Sequence, residues 1–165
     1  MGIAAIGFGD LVRPDCIMDS LEASSREDAL LRMATRLVES GYCRESFPAA
    51  ILERERLHPS GLPMRGHKIA IPHTDAKHVR RSTILFARLD QPVEFLTMGS
   101  PDEPLQVRMI SMFALREKHL VGRLLTTLIA VYQDHQVLEA LLQAEDSREM
   151  FTILRRAVEK EGSES

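Results

Sequence analysis

The chain contains 165 residues, of which 44% are hydrophobic and 27% charged, and its formal net charge at pH 7 is −3. These are the values of a globular protein, and the slight negative charge gives no electrostatic reason to expect nucleic acid as a partner. No apolar run approaches the roughly 18 residues that cross a bilayer, so we expect no direct membrane insertion. The length is that of one ordinary domain.

The two cysteines and the chain ends indicate the cellular compartment and the domain limits. Cys16 and Cys43 lie far apart without C-x-x-C or metal-like spacing, so we interpret them as reduced thiols of a cytoplasmic protein. Residues 1–8 are apolar but carry no positively charged region of a signal peptide. Because residues 159–165 are polar and charged, we expect a disordered C-terminal tail after a single domain over residues 1–158.

The first third of the chain predicts a strand followed by two helices. Cys16–Leu21 fits a strand, and Ser24–Asp28 is typical of a helix start, with a capping hydroxyl and early acidic residues. Gly41 supplies the stop signal of this helix, and Pro48 suits the first turn of a second helix that continues to Leu57. The buried face of the first helix follows helical spacing: Leu30, Met33, Ala34, Leu37 and Val38.

The middle of the chain predicts short strands separated by loops. A loop rich in proline and glycine covers residues 58–66 and leads into the apolar strand Ile69–Ile71. Pro72 ends that strand, because proline donates no backbone hydrogen bond to a neighbouring strand. Three further segments are predicted as strands, with a polar turn over Gly99–Pro104: Ser82–Leu89, Pro92–Phe95 and Leu105–Leu115.

The last third predicts three helices, of which His119 opens the first. Leu120, Leu124, Leu128 and Val131 recur on one face of that helix, and two shorter helices follow near Gln136–Gln143 and Ser147–Val158. Because helices and strands alternate along the chain, we predict an α/β fold. It consists of a single layered domain, with a mixed, mostly buried sheet of about five strands flanked by helices on both faces.

His73 is the strongest candidate for chemistry, because it follows a buried strand at the point where the chain enters a polar loop. With an ordinary pKa of about 6.5, imidazole is a neutral nucleophile at pH 7, which suits the capture of a phosphoryl group. The alternative is that His73 is only a hydrogen-bonded residue at the end of a strand. The sequence around it does not decide between these interpretations.

A metal site is the other function that the histidines suggest. His67, His73 and His78 lie close together in sequence, with Asp75 between them, and imidazole and carboxylate are common zinc ligands. Their spacing matches no known short zinc motif, and we expect solvated loop histidines rather than a metal-dependent hydrolase. The chain also lacks a P-loop and a dinucleotide-binding glycine motif, so we expect no nucleotide cofactor.

His119 and Arg54 could both bind an anion. His119 stands at a predicted helix start, where free backbone N–H groups favour a phosphoryl group, but from position alone the simpler interpretation is that it only caps the helix. Arg54 carries a planar guanidinium that can donate two hydrogen bonds to phosphate oxygens. It also lies in an alternating run of acidic and basic residues, which is typical of an exposed helix end.

Together these segments resemble the enzyme IIA component of the bacterial phosphoenolpyruvate-dependent sugar phosphotransferase system (PTS), in the fructose-mannitol superfamily. The resemblance extends from about Ile17 to about Leu154, and two motifs look most like the galactitol-type branch: the Pro-Ser-Gly-Leu loop and the Pro-Val-x-Phe-x-x-Met-Gly segment. The matching segments, in order, are Arg54-Glu55, Pro59–Leu62, Ile69–Thr74, Pro92–Phe95 with Met98-Gly99, and His119-Leu120.

The resemblance implies a role for each candidate residue. His73 matches the histidine that takes a phosphoryl group from phospho-HPr and passes it to a cysteine of the IIB component. His119 matches a second active-site histidine, and Arg54 matches the arginine that contacts the phosphoryl group. The implied relay uses no metal and no cofactor, because its donor and acceptor are protein side chains. The resemblance does not say which nitrogen of the imidazole is phosphorylated.

Two further points stay open on sequence grounds. The same fold could serve as a regulatory module that binds a regulator according to its phosphorylation, instead of serving sugar transport. Arg65, His67 and Lys68 make the loop before His73 more basic than is usual in the superfamily, and they could hold phosphate or be solvated. Neither the transported sugar nor the oligomeric state can be read from the sequence.

Overall fold

A five-stranded mixed sheet forms the centre of the protein, and the computed structural model describes residues 7–164. In chain order the strands are β1 (Val12–Leu21), β2 (Gly61–Leu62), β3 (Lys68–Ala70), β4 (Thr83–Thr97) and β5 (Ser100–Ala114). The helices are α1 (Arg26–Glu39), α2 (Phe47–Leu57), α3 (Val121–Gln133), α4 (His135–Gln143) and α5 (Ser147–Glu164).

The long hairpin of β4 and β5 holds the sheet together. Its strands pair antiparallel, with β1 parallel to β4 on one side and β3 parallel to β5 on the other. The short strand β2 pairs antiparallel with β3, and its Gly61 also meets Thr97 at the end of β4. A Cβ on Gly61 would lie 2.5 Å from the carbonyl oxygen of Leu96, so only glycine allows this close approach of two backbones.

Each face of the sheet carries its own hydrophobic core. Side chains alternate along β4, so that Ile84 and Phe86 pack with α3, α4 and α5, whereas Leu85 and Ala87 pack with α1 and α2. All four of these side chains are fully buried. The predicted architecture, an α/β domain with a buried mixed sheet between two helical layers, is therefore confirmed.

The strands are longer than the sequence predicts. β1 begins at Val12 rather than Cys16 and contains Pro14, which is tolerated because β1 is an edge strand. β4 is one strand where the sequence predicts two. Its pairing with β5 shifts register between Arg88 and Val93, so the polar residues there remain part of the same strand. The strand β2, which lies within the loop predicted over residues 58–66, has only two residues.

The predicted polar turn over Gly99–Pro104 is also wrong, because β5 already begins at Ser100. The chain reverses direction at Met98 and Gly99, and Gly99 adopts a φ of 77°, which glycine accepts without strain. Residues 101–104 are exposed at the end of the hairpin, so the strand there needs no apolar side chains, and apolar periodicity could not identify it.

The helices agree more closely with the prediction, except at two ends. His119 lies in a short 3₁₀ turn, Lys118–Leu120, and α3 begins only at Val121. The predicted disordered tail is wrong for residues 159–164, because α5 continues through Glu164. In this helix Arg155 donates a hydrogen bond to Glu159 one turn later, at 2.8 Å, which supports the last turns. Residues 1–6 and Ser165 lie outside the described residues.

Arg88 joins the sheet to the end of α4. Its guanidinium donates hydrogen bonds to the carbonyl oxygens of Leu141 at 2.9 Å and Ala144 at 2.6 Å, which have no partner within the helix. Its Nε donates to the carbonyl oxygen of Asp19 in β1 at 2.9 Å. One partly buried side chain thus satisfies backbone groups of β1 and of the end of α4.

We expect Arg88→Met to lower the free energy of unfolding by about 2–4 kcal/mol, because methionine fills similar space but leaves these carbonyl groups without donors. Arg108→Met is the matched control: Arg108 is also partly buried but donates one hydrogen bond, to Leu89 at 3.0 Å, and should cost about 1 kcal/mol. Urea denaturation of both variants measures the difference. Equal losses would contradict the assigned role of Arg88.

Candidate active site

Backbone hydrogen bonds fix the segment that carries His73. The strand β3 ends at Ala70, and the N–H of Ile71 then donates to the carbonyl oxygen of Ser60 at 3.1 Å. On the opposite side, the N–H of Phe113 in β5 donates to the carbonyl oxygen of Pro72 at 3.2 Å. His73 therefore follows two residues that are held from both sides, and its position is set by the sheet.

The imidazole of His73 is oriented by a ring and by a carbonyl group. It stacks on Phe113, with 4.5 Å between the ring centroids and an interplanar angle of 13°. Its Nδ1 lies 3.3 Å from the carbonyl oxygen of Ile71. A carbonyl oxygen only accepts hydrogen bonds, so Nδ1 carries the proton in the neutral ring, and Nε2 keeps an unshared electron pair.

The electrostatic surroundings of His73 favour the neutral ring. Burial lowers the pKa of His73 below its ordinary value of 6.5, because it disfavours the charged form, and the positive charge of Arg54 lowers it further. The carbonyl oxygen of Ile71 and the carboxylate of Asp75 act in the opposite direction, but burial dominates. At pH 7 the imidazole is therefore predominantly neutral and nucleophilic.

Two cavities open beside His73, and Arg54 and His73 line both. The first, called here the His58 cavity, has a volume of about 260 Å³, and the second, the Asp75 cavity, about 240 Å³. The His58 cavity is completed by Glu55, His58, Pro59, Ser60, Met98 and Leu125. The Asp75 cavity is completed by Thr74, Asp75, Ala76, Phe113, Leu115, Lys118 and Val121. Either is large enough for a phosphoryl group.

Arg54 places a positive charge between the two cavities. Its side chain is partly buried near the end of α2. No carboxylate or carbonyl group within residues 7–164 accepts a hydrogen bond from its guanidinium, whereas the nearby Arg56 donates two hydrogen bonds to Glu53, at 2.7 and 3.0 Å. The donors of Arg54 are therefore available to an anion that binds beside His73.

The loop after α2 is held by a buried carboxyl group. Glu55 is only 7% exposed and accepts hydrogen bonds from the N–H of Ser60 at 2.9 Å and from its hydroxyl at 2.7 Å. Burial raises the pKa of Glu55 above its usual range, although the two hydrogen bonds oppose this change. Since the carbonyl group of Ser60 also pairs with Ile71, Glu55 indirectly supports the segment that carries His73.

The structure brings Arg54 and His73 together but not His119. His119 is exposed in its 3₁₀ turn and lines neither cavity, whereas its neighbours Lys118 and Val121 line the Asp75 cavity. No hydrogen bond or ion pair within the described residues involves the imidazole of His119. Its place in the site therefore stays a prediction.

The other residues of the histidine cluster lie in separate surroundings. Nε2 of His67 is 3.3 Å from Glu139, and Nδ1 of His78 is 2.8 Å from the hydroxyl group of Ser46. Lys68 donates hydrogen bonds to two carbonyl groups of its own loop, and Arg65 is exposed. Across residues 7–164, no three histidine, cysteine or acidic side chains are grouped so that they could hold a metal ion.

Sequence reasoning missed Phe113 and His58. Phe113 fits the apolar alternation of β5, which predicts burial but cannot show that its ring stacks on His73. His58 follows α2 in a loop whose path has no periodic signal. Only the fold shows that this loop borders the same cavity as His73.

The helices of the described part of the chain include none that is both long and apolar enough to cross a membrane.

Known proteins resemble the chain over most of its length. The family model described as "Phosphoenolpyruvate-dependent sugar phosphotransferase system, EIIA 2" matches residues 10–157. A nitrogen regulatory protein of Bradyrhizobium diazoefficiens is 27% identical over 146 residues, which cover 88% of this chain and 92% of that protein. The PTS galactitol-specific EIIA component of Escherichia coli K12 is 26% identical over 129 residues, which cover 77% of this chain and 85% of that protein.

Solved structures share the fold. The crystal structure of a PTS IIA protein, PtxA, from Streptococcus mutans matches with a TM-score of 0.75 at 20% sequence identity. The match covers 92% of this chain and 95% of the Streptococcus chain. At this level of identity the likeness shows a common fold and nothing finer.

Proposed function

Because the chain belongs to the EIIA 2 family of the phosphoenolpyruvate-dependent sugar phosphotransferase system, we propose that it is a cytoplasmic phosphocarrier whose His73 accepts and passes on a phosphoryl group. The family membership supports a role in phosphoryl transfer. The proposed donor is phospho-HPr, and the proposed acceptor is a cysteine of a IIB component. In this relay both donor and acceptor are protein side chains, so the site has only to position them.

The orientation of His73 is the observation that supports this proposal best. The proton on Nδ1 faces the carbonyl oxygen of Ile71, and burial keeps the ring neutral, so Nε2 can act as the nucleophile. Arg54 stands beside the ring with donors available to phosphoryl oxygens. This combination of a neutral imidazole and a positive charge suits the attack of Nε2 on a negatively charged phosphoryl group.

The transfer consists of two displacements at phosphorus. The electron pair of Nε2 forms a bond to the phosphorus of phospho-HPr while the phosphorus–nitrogen bond of the donor breaks, and the donor imidazole keeps that electron pair. In the second step a cysteine thiolate of the IIB component attacks, and the bond between phosphorus and Nε2 breaks. Arg54 balances the charge of the phosphoryl oxygens in both steps.

Transport and regulation are two versions of this proposal. The E. coli relative is a galactitol-specific EIIA component, which favours delivery of the phosphoryl group to a galactitol-type IIB protein. The Bradyrhizobium relative is a nitrogen regulatory protein, which favours a module that controls a regulator through its phosphorylation. We propose transport as the first version and regulation as the alternative.

Phosphorylation of the purified protein tests the proposal. We expect incubation with phosphoenolpyruvate, enzyme I and HPr to add one phosphoryl group, detected by intact-mass spectrometry, and omission of HPr to prevent the addition. The phosphorylated protein is then mixed with a purified galactitol-type IIB component. Transfer to that protein supports the transport version, whereas phosphorylation without transfer supports the regulatory version. Absence of any phosphorylation would contradict both.

A further inference from the structure

Glu55 is a buried acidic side chain in the last turn of α2, next to Arg54 in the sequence. It is 7% exposed, and within residues 7–164 both hydrogen bonds that its carboxyl group accepts come from Ser60. Burying a carboxyl group costs free energy that an apolar side chain of similar size would not cost. The structural result of this burial is that Ser60 is held by its backbone N–H and by its hydroxyl group at once.

The hold on Ser60 continues through the backbone to the imidazole of His73. The carbonyl oxygen of Ser60 accepts a hydrogen bond from the N–H of Ile71 at 3.1 Å. The carbonyl oxygen of Ile71 in turn lies 3.3 Å from Nδ1 of His73. These four residues are called here the Glu55 chain. Glu55 and His73 are its two ends, and each group in it limits the movement of the next.

The contact between Ser60 and Ile71 is the step of the Glu55 chain that fixes the backbone before His73. Pro72 has no N–H, so the N–H of Ile71 is the last backbone donor that precedes His73. On the other side of the segment, only the carbonyl oxygen of Pro72 is used, by Phe113 at 3.2 Å. If Ser60 moves, the carbonyl group that faces Nδ1 therefore moves with it.

We propose that Glu55 is a positioning residue, which acts through the Glu55 chain to hold the imidazole of His73 with the proton on Nδ1 and the electron pair on Nε2. The consequence for phosphoryl transfer rests on the proposed function. Both oxygens of Glu55 are occupied by Ser60, so Glu55 acts through that residue and forms no bond to the phosphoryl group. A ring nitrogen that carries the proton has no electron pair for attack, so the tautomer decides whether Nε2 reacts.

Substitution of Glu55 tests the effect on the rate of transfer from phospho-HPr. Glu55→Met keeps a similar volume but removes both acceptors, and it should slow transfer at saturating donor by about 10- to 100-fold, because misplaced reacting groups lose rate on this scale. The donor concentration that gives half-saturation should stay at the wild-type value, since Glu55 is buried and does not touch HPr.

Two milder variants grade this effect. Glu55→Gln should recover most of the rate, because its amide oxygen accepts from the N–H of Ser60 and its amide N–H donates to the hydroxyl oxygen. Ser60→Ala should give a rate between those of Glu55→Met and the wild type. It loses the hydroxyl group but keeps the backbone N–H that Glu55 accepts and the carbonyl oxygen that Ile71 uses.

The tautomer of His73 supplies a second measurement, which needs no partner protein. In nitrogen NMR spectra of the isotope-labelled protein, protonated and unprotonated ring nitrogens have different chemical shifts, and the spectrum of His73→Gln identifies the signals of His73. Under conditions in which the ring is neutral, we expect the wild type to carry the proton on Nδ1. Glu55→Met should shift part of this population to Nε2, because the hydrogen bond that selects the tautomer is weakened.

Two controls separate positioning from loss of charge and from loss of stability. Glu53→Met removes a carboxyl group from the same helix, but Glu53 is exposed and accepts its hydrogen bonds from Arg56, so rate and tautomer should match the wild type. Arg88→Met also removes hydrogen bonds to buried groups and should lower the melting temperature. Because Arg88 lines neither cavity, it should leave the tautomer of His73 unchanged.

The outcomes separate this inference from the proposed function. If folded Glu55→Met transfers at the wild-type rate, or keeps the proton of His73 on Nδ1, the inference is overturned. Equal losses in Glu55→Gln and Glu55→Met would also overturn it, because charge and not hydrogen bonding would then set the rate. If the melting curve shows that Glu55→Met does not fold, Ser60→Ala decides by the same two measurements. If the wild type accepts no phosphoryl group, the proposed function fails, and the NMR spectra still decide whether Glu55 sets the tautomer.

Discussion

Replacing His73 with glutamine should abolish acceptance of the phosphoryl group. Glutamine has a similar size and can keep a hydrogen bond to the carbonyl oxygen of Ile71, but its amide nitrogen has no electron pair available for attack. Acceptance is measured by intact-mass spectrometry after incubation with phosphoenolpyruvate, enzyme I and HPr. We expect no detectable mass gain, whatever the incubation time.

His67→Ala and His78→Ala are the controls for this experiment. Both side chains have partners away from the cavities, Glu139 and Ser46 respectively, and both variants should be phosphorylated like the wild type. The melting temperature of His73→Gln shows whether the fold survives loss of the stack on Phe113, which is expected to cost about 1 kcal/mol. A folded His73→Gln protein that still gains the phosphoryl group would disprove the role of His73.

Replacing Arg54 with glutamine should slow phosphoryl transfer by about 10²- to 10³-fold, the typical effect of removing one group that stabilises charge in a transition state. Arg54 lines both cavities, and its guanidinium is free of hydrogen bonds within residues 7–164, so its charge is available to the reacting phosphoryl group. Arg54→Lys should recover part of the rate, because lysine keeps the charge but loses the planar fork. Quenched-flow measurement of transfer from phospho-HPr gives these rates.

Arg56→Gln is the matched control, since Arg56 lies on the same helix but is exposed and bound to Glu53. Its transfer rate should stay within about twofold of the wild type, because surface ion pairs contribute little. If both substitutions slow transfer equally, the effect comes from the general charge of α2 and not from contact between Arg54 and the phosphoryl group.

Elements with a periodic apolar face could be predicted from the sequence. The spacing of Leu30, Met33 and Leu37 predicts α1, and all three side chains are fully buried in the core. The sheet was predicted in outline because its central segments are apolar. The sequence does not predict β2 or the first residues of β5, since β2 is too short to show any periodicity and the first residues of β5 are exposed and polar.

The candidate site was predicted in part. A histidine after a buried strand is visible in the sequence, because Pro72 marks the end of the strand locally. The stacking of Phe113 and the position of His58 depend on how distant segments pack, and no local pattern encodes them. For His119 a helix-start signal predicts anion binding, whereas the structure places its side chain in a 3₁₀ turn outside both cavities, so its role stays a prediction.

The close contact at Gly61 limits how the protein can vary. The N–H of Met98 donates to the carbonyl oxygen of Gly61 at 2.8 Å, so the tip of the long hairpin is fastened to the loop that borders the His58 cavity. Any side chain at position 61 would collide with the backbone of Leu96 and push the tip away from this loop. Directed evolution toward new partner proteins should therefore keep this glycine, whereas an exposed residue that lines neither cavity, such as Leu57, tolerates change.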